Sequence, residues 1–409
     1  MNTFSLKTLI IGVQMLFVAF GALVLVPLLT GFDPSLALFA AGVGTLLFHL
    51  ITGCSIPIFL GSSFAFIAPI QQSLQSYGMG ATLGALSASC VVYFIFSLCF
   101  RFGGGDFLER FLPRVVTGPV VIVIGLKLAP TATANCVSFV GGAFDPLALM
   151  VAAIATGTAV IATVWGRGFL KLVPVITGVI VAYIVALLLG KVDTALIANA
   201  AWFAVPWTAA MDAGKYAIPT FDLAAILFIL PVAIAPAVEH VGGIIAISSA
   251  TGENYIKKPG LHRTLLGDGI ASGLAPLFGG PPNTTYAEVT GAVALTKAFN
   301  PLYMRIAAVA AIIFAFCGKL NAVLSSIPLP VMGGIMVILF GMIAVVGIGT
   351  MIEGKVDLNN PRNMLISAII LTAGIGDLQI HFGDNFMLGG IGLAAIIGIV
   401  LNIILPKGK

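Results

Sequence analysis

The sequence predicts an all-α polytopic membrane protein of fourteen transmembrane segments, built as two inverted halves of seven. Three observations carry this prediction: the composition, the placement of the basic residues, and a pair of interrupted segments at matching places in the two halves. Of 409 residues, 59% are hydrophobic and 8% are charged, and the mean hydropathy is +1.14. Soluble domains carry about 25% charged residues, so a soluble globular chain is excluded. The apolar runs are too long for the alternating ~10-residue strands of an outer-membrane barrel. The first run, Leu9 to Leu29, has spanning length rather than the shorter length of a signal-peptide core. Glycine (48) and proline (22) are abundant, as suits closely packed or broken membrane helices. The five cysteines, Cys54, Cys90, Cys99, Cys136 and Cys317, have no metal-ligand spacing and read as small packing residues. Neither a metal nor a cofactor is expected. The net charge of +4 gives no reason to expect nucleic acid.

Apolar runs of about 20 residues fall at 8–29, 35–53, 62–76, 79–100, 114–132, 145–165 and 171–190 in the first half. In the second half they fall at 221–250, 262–279, 285–298, 302–325, 330–352, 363–377 and 387–405. The runs at 62–76 and 285–298 are short and begin with polar residues, so they read as broken elements. With the N-terminus cytoplasmic, fifteen basic residues fall inside: Lys7, Arg101, Arg110, Arg114, Arg167, Lys171, Lys257, Lys258, Arg263, Lys297, Arg305, Lys355, Arg362, Lys407 and Lys409. Only Lys127, Lys191, Lys215 and Lys319 fall outside. This positive-inside bias supports fourteen spans with both termini cytoplasmic, because adding or losing one span would scramble it. The stretch from Lys191 to Thr220, with Trp202, Trp207 and Tyr216, reads as an external loop with interfacial aromatic anchors.

The two halves share an order of landmarks. Gly61-Ser62-Ser63-Phe64-Ala65-Phe66 opens one short span, and about 50 residues later Leu112-Pro113 leads into Val120–Gly125. Gly280-Pro281-Pro282-Asn283-Thr284-Thr285 opens the other, followed at the same distance by Leu329-Pro330 and Val337–Gly341. Each half holds an odd number of spans, so the second lies upside down relative to the first. Paired interrupted segments in inverted halves point to a transporter's binding site.

The stretch Gly279–Lys297 is the centre of that reading. Gly279-Gly280-Pro281-Pro282 cannot start an ordinary helix, Thr284-Thr285-Tyr286 favours extended backbone, and Glu288 then heads a helical segment. Broken backbone and a carboxylate at membrane depth are tolerated where they are buried in protein or line a watery cavity. Most of the acidic residues lie in loops or at span ends, and three do not: Glu239 in the eighth, Asp268 in the ninth and Glu288 in the tenth. Each costs at least ~2.5–3.5 kcal/mol on insertion scales. A structural carboxylate satisfied by a helix N-terminus is the bland alternative, strongest for Asp268. Two carboxylates in one cavity can accept hydrogen bonds from the N–H groups of a neutral planar heterocycle, or hold a cation or proton. A half-helix N-terminus supplies backbone N–H donors beside them. His240 points about 100° away from Glu239 around the helix, and a lone helical histidine is more often packed than functional. Phe64 and Phe66 could stack on a flat ligand, although either could equally be a core aromatic.

At these residues the chain closely resembles the nucleobase–ascorbate transporter family (nucleobase:cation symporter-2), and within it the bacterial uracil:proton symporters. The resemblance runs over nearly the whole chain. It is carried by Phe20-Gly21-Ala22 with Val24-Leu25-Val26-Pro27, Gly61–Ala68, Ala237–Gly242, Pro259–Arg263, Pro282–Glu288 and Ile327–Gly334. It implies short β-strands in spans 3 and 10, with the base bound between them. It also implies a core domain of residues 1–100 and 221–326, a gate domain of 101–190 and 327–409, and an external loop at 191–220. The core would move against the gate, within a homodimer in the lipid bilayer of the cytoplasmic membrane. By position, Glu239 and Glu288 would bind the polar edge of the base, Phe64 would pack on its ring, and backbone near Ala287 would complete the site with Tyr286 and Ser62. The expected cargo is uracil, because Glu288 stands where purine-type members have glutamine; a xanthine or urate permease is the alternative.

Three positions depart from the family pattern. Val289 stands where the signature has asparagine, Gly243 where the uracil symporters have a proton-coupling histidine, and Met15 where they have a histidine after Gln14. Protons would then be carried by Glu239, Asp268 or His240, and sodium coupling is the alternative. From another class, an anion exchanger or channel of the same architecture would suit a neutral or positive residue at 288, since an ionised carboxylate repels anions. An enzyme is not expected, because no nucleophile–base pair, metal cluster or phosphate loop is present.

Overall fold

A computed structural model describes residues 5–111, 113–140, 143–382 and 386–406. Leu112, Lys407 and Lys409 therefore lie outside the described residues. Every expected span has a helical element. The first half gives α1 (Leu6–Thr30), α2 (Pro34–Ile51), α3 (Ile67–Ala88), α4 (Cys90–Phe111), α5 (Arg114–Lys127), α6 (Pro146–Val164) and α7 (Pro174–Leu188). The second half gives α8 (Ile234–Thr251), α9 (Leu261–Leu277), α10 (Ala287–Thr296), α11 (Leu302–Ala315), α12 (Leu329–Glu353), α13 (Pro361–Ile375) and α14 (Gly390–Ile404).

Helix starts follow local chemistry. Asp33 caps α2 by accepting the Ser35 N–H at 2.8 Å, with Pro34 at the first helical position. Asn360 caps α13 through the Arg362 N–H at 3.0 Å. The eighth span begins earlier, at Leu223–Ile229, capped by Asp222 accepting the Ala225 N–H at 2.9 Å, and passes through a tight 3₁₀ turn at Leu230–Ala233.

Both interrupted segments contain the expected strands, β1 (Leu60–Ser62) and β2 (Asn283–Thr285). They pair antiparallel, with Leu60 opposite Thr285, Gly61 opposite Thr284 and Ser62 opposite Asn283. Two broken spans, one from each half, thus satisfy each other's backbone in the middle of the protein. Neighbouring helices fix the pair. The Leu60 N–H donates to Thr45 Oγ1 (2.9 Å), and His49 Nε2 donates to the Ile58 carbonyl (2.9 Å). The Asn283 amide donates to the Ala40 carbonyl (3.0 Å), and the Ser272 hydroxyl donates to the Asn283 carbonyl.

The helices pack in two groups. In one group α1 and α2 lie against β1, and α2, α8 and α9 lie against β2, with α2 also packed on both α9 and α11 and α4 on α9. Helices α5, α6, α7, α12, α13 and α14 form the second group, in which α12 crosses α5 and α6, and α13 lies against α5 and α14.

Four segments differ from the sequence expectation. Span 302–325 stops at Ala315, and Gly318–Ser325 forms a separate helix. There the Phe316 carbonyl accepts the Ala204 N–H (3.0 Å), while the Gly318 N–H donates to the Trp202 carbonyl (3.2 Å), so the external loop draws the backbone out of the helix. Span 114–132 breaks after Lys127 and resumes at Ala129–Cys136, because Pro130 has no N–H to continue the ladder. Span three and the first part of span four join within α3, bent at Gly78 (φ 77°), and the rest of span four continues in α4 after a break at Ser89. Last, the loop 191–220 contains the short helices Thr194–Asn199 and Pro206–Asp212. Its Trp207 indole donates to the Phe278 carbonyl (3.1 Å) and its Tyr216 hydroxyl to the Leu277 carbonyl (3.2 Å). These two aromatics cap the end of α9.

Candidate substrate site

The strand pair delivers two helix N-termini to one place. Tyr286 caps α10, and Glu288 lies in that helix's first turn, where the unpaired N–H groups and the dipole favour a carboxylate. On the other side, a 3₁₀ turn at Phe64–Phe66 leads from β1 into α3. Glu239 comes from α8, which packs against α10, the helix that carries Glu288.

Exposure picks out the same residues. Phe64, Glu239 and Glu288 each keep part of their surface open, whereas Ser63, Ala65, Val238, His240, Val289 and Thr290 beside them are buried. Tyr286 packs against β1, its ring centroid 6.5 Å from that of Phe64. The Ser62 and Tyr286 hydroxyls are buried without a protein hydrogen-bond partner. Ala287 places its backbone in the first turn of α10, between Tyr286 and Glu288. Phe66, the other aromatic candidate, is fully buried in the core and faces no opening.

Gly61 is required here by a close approach. A Cβ at this position would lie 2.5 Å from the Tyr286 ring. Gly61→Ala is expected to displace Tyr286 and weaken ligand binding about tenfold, the loss of one good contact of about 1.4 kcal/mol, with normal yield of folded protein. Isothermal titration with the candidate ligand checks this, and unchanged affinity would exclude Tyr286 from the site.

Two further candidates sit deeper. Asp268 and His240 are fully buried. His240 Nδ1 is hydrogen-bonded to the Thr285 hydroxyl at 2.6 Å and lies 3.4 Å from Asp268 Oδ2. The departure at 243 has a steric reason: a Cβ on Gly243 would lie 2.8 Å from Thr285 Cγ2. Thr285 fills the space that a side chain at 243 would need, and its hydroxyl pairs with His240 instead. Met15 and Val289, the other two departures, are buried among apolar neighbours.

One site neighbour was not singled out in the sequence. Phe340 of α12 meets Phe64 edge-on, with centroids 5.9 Å apart. It falls within Val337–Gly341, noticed there only as a repeat landmark. A phenylalanine within an apolar span carries no local mark of what it touches.

The family model described as Permease family (Xan_ur_permease) matches residues 6–382. The "Probable uracil permease" of Haemophilus influenzae is 52% identical over 408 residues, covering 100% of this chain and 96% of that protein. The uracil permease of Bacillus caldolyticus is 42% identical, covering 97% of this chain and 91% of that protein. Among solved structures, the transmembrane domain of a cyanobacterial bicarbonate transporter, BicA, superposes with a TM-score of 0.67 at 14% identity, covering 97% of both chains. The murine anion transporter Slc26a9, in an inward-facing state, gives 0.68 at 12% identity, covering 98% of this chain and 68% of that one. At such low identity these two share the fold alone, the arrangement of two inverted seven-span halves. A full-length family match and relatives this close identify the chain as a multi-pass membrane transporter, not an enzyme, belonging to the Permease family of the nucleobase:cation symporter-2 type.

Proposed function

We propose that this protein is a secondary active importer of a nucleobase, uracil foremost, driven by protons across the cytoplasmic membrane. The observation that carries this reading is that Glu239, Glu288 and Phe64 each keep part of their surface exposed among buried neighbours. Two carboxylates that repel one another across an opening are relieved by a ligand with two N–H donors on one edge, and an aromatic face suits its flat ring. Glu239 and Glu288 bind that edge, Phe64 packs on the ring, and the Ala287 backbone, Tyr286 and Ser62 complete the site. The names of the relatives, uracil permeases, support the choice of base.

Coupling runs through Glu239, His240 and Asp268, which form a continuous set from the opening into the core. Transport proceeds by the core (1–100 and 221–326) moving against the gate (101–190 and 327–409), in a homodimer with both termini cytoplasmic. The Phe64–Phe340 contact lies where those two parts would meet. Sodium coupling is the second reading, favoured by Gly243 and Met15 where the uracil symporters have histidine. An anion exchanger of this fold fits poorly with two carboxylates at the opening; chloride flux that survived Glu288→Gln would overturn the nucleobase reading.

The test is radiolabelled uracil uptake into proteoliposomes, under an imposed proton gradient and then a sodium gradient. Uptake driven by protons alone is the expected result. Uptake driven by sodium alone would replace the coupling ion, and no uracil uptake under either gradient would move the cargo to a purine such as xanthine.

A further inference from the structure

In the division proposed above, residues 191–220 join the gate, whose first part ends with α7, to the core, which resumes before Leu223–Ile229. The first residue of this loop is held by the gate. Gly190, in left-handed backbone (φ 67°), closes α7, and the Lys191 N–H donates to the Ala186 carbonyl (2.9 Å). The Lys191 ammonium pairs with Asp145 Oδ2 at the start of α6 (3.1 Å). A single, partly exposed ion pair of this kind holds weakly in water.

From Asp193 onward the attachments change sides. Asp193 caps the helix Thr194–Asn199 by accepting the Ala195 N–H (3.0 Å), and Lys319 caps its other end. Lys319 Nζ donates to the Ile197 and Ala198 carbonyls (2.8 and 2.9 Å), which lie in a last turn without helical partners, and stands 6.0 Å from the centroid of the Trp202 ring. Next comes the backbone bridge of residues 202–204 to residues 316–318. Phe203 stacks on Phe316 (centroids 5.8 Å apart, planes at 10°), and Trp207 meets Phe39 of α2 edge-on at 4.8 Å. At the far end the Thr220 N–H donates to the Gly80 carbonyl of α3 (2.9 Å). Helices as short as Thr194–Asn199 and Pro206–Asp212 do not stand alone in water, so these docking contacts are what order them.

We propose that residues 193–220 move with the core as one body, fastened by Lys319, so that on this face the chain bends between core and gate at Gly190–Val192. A core that left the loop behind would break the Lys319 bonds, the bridge and the aromatic contacts together, and would strip backbone groups of their partners. Bending at Gly190–Val192 breaks none of them. The inference rests on the core-and-gate reading above, and it adds which body carries the loop and where the connection gives.

The test uses a cysteine the chain already has. The bridge bonds run from the Ala204 N–H to the Phe316 carbonyl and from the Gly318 N–H to the Trp202 carbonyl, which makes Phe203 and Cys317 a non-hydrogen-bonded antiparallel pair. Such partners have Cα atoms about 4.5 Å apart, within the reach of a disulfide. Oxidation of Phe203→Cys should therefore join residue 203 to Cys317 and lock the loop to the core, and a reductant should release it. Uracil uptake in proteoliposomes is expected to run at the same rate in the oxidised and reduced variant. Uptake lost on oxidation and restored by reduction would place the bend inside the loop and overturn the proposal, and so would failure of the two thiols to join. Hydrogen exchange of the purified protein, with no base present, reads the fastening by itself. In Lys319→Met the amides of Thr194–Asn199 are expected to exchange about tenfold faster, the effect of losing one hydrogen bond to a charged group. Those of α7 should be unchanged, and Lys319→Arg, which keeps the donors, should match wild type. Equal exchange in Lys319→Met and wild type overturns the role given to Lys319. If wild type moved no base under any gradient, the cargo reading would fail, and the exchange measurement would still decide whether the loop is fastened to the core.

Discussion

Glu288→Ala is expected to abolish uracil binding while leaving the protein folded. Glu288 keeps part of its surface exposed in the first turn of α10 and is not among the buried core residues. Removing it forfeits a charge-assisted hydrogen bond of about 1.5–3 kcal/mol, which is a loss of about 10- to 150-fold in affinity. The helix itself loses only the favourable interaction of a negative charge with its N-terminus, about 0.3–1 kcal/mol. Equilibrium binding of labelled uracil to the purified protein, run beside a thermal melt, reads both effects. A variant that is lost from the membrane or melts far below wild type would make Glu288 a structural carboxylate and remove it from the site. His240→Ala should behave differently, since its ring is fully buried and bonded to Thr285. Substantial uptake is expected to remain, and a flat pH profile in that variant would place His240 in the proton path.

A large structural penalty is expected at Gly125→Val. Gly125 is the point where α5 meets α12, and a Cβ there would lie 2.4 Å from the Phe340 carbonyl oxygen and 2.7 Å from the Ala344 nitrogen. Both atoms are helical backbone, which cannot swing aside as a side chain can. Membrane helices associate through such small-residue contacts because no hydrophobic drive holds them together in lipid. Forcing valine between them costs on the order of 1–3 kcal/mol or more and moves α12, carrying Phe340 away from Phe64. Size-exclusion profiles in detergent should show loss of the monodisperse protein, with Gly125→Ala intermediate. A Gly125→Val protein with a wild-type melting point would mean that the α5–α12 crossing is looser than these distances require.

These two residues also mark what could be read from the chain and what could not. The spans, their number and the two interruptions were legible because each depends on local composition: apolar length, the rigid Gly279–Pro282 run, and the polar openings at Gly61 and Gly280. The carboxylates stood out for the same reason, since Glu239, Asp268 and Glu288 interrupt sequence that is otherwise apolar. Helix breaks at Ala315 and Lys127 were not anticipated, because one depends on a strand-like bridge to residues 202–204 and the other competes with a long apolar run around a single proline. The aromatic caps of Trp207 and Tyr216 on the end of α9 likewise depend on partners some 60 to 70 residues away.

The sequence by itself determined a many-spanning membrane protein with two broken spans and a small set of intramembrane acids, because hydrophobicity and backbone-breaking residues act over a few neighbours. Only the tertiary structure decided that Glu239 and Glu288 keep part of their surface exposed while Asp268 is fully buried. It paired β1 with β2, set Phe340 against Phe64, gave position 243 to glycine by filling its space with Thr285, and brought Tyr93 against Gly269. Each of these is a contact between distant segments, fixed by how helices from the two halves pack, and side-chain identity along one segment carries no record of the partner that packing selects.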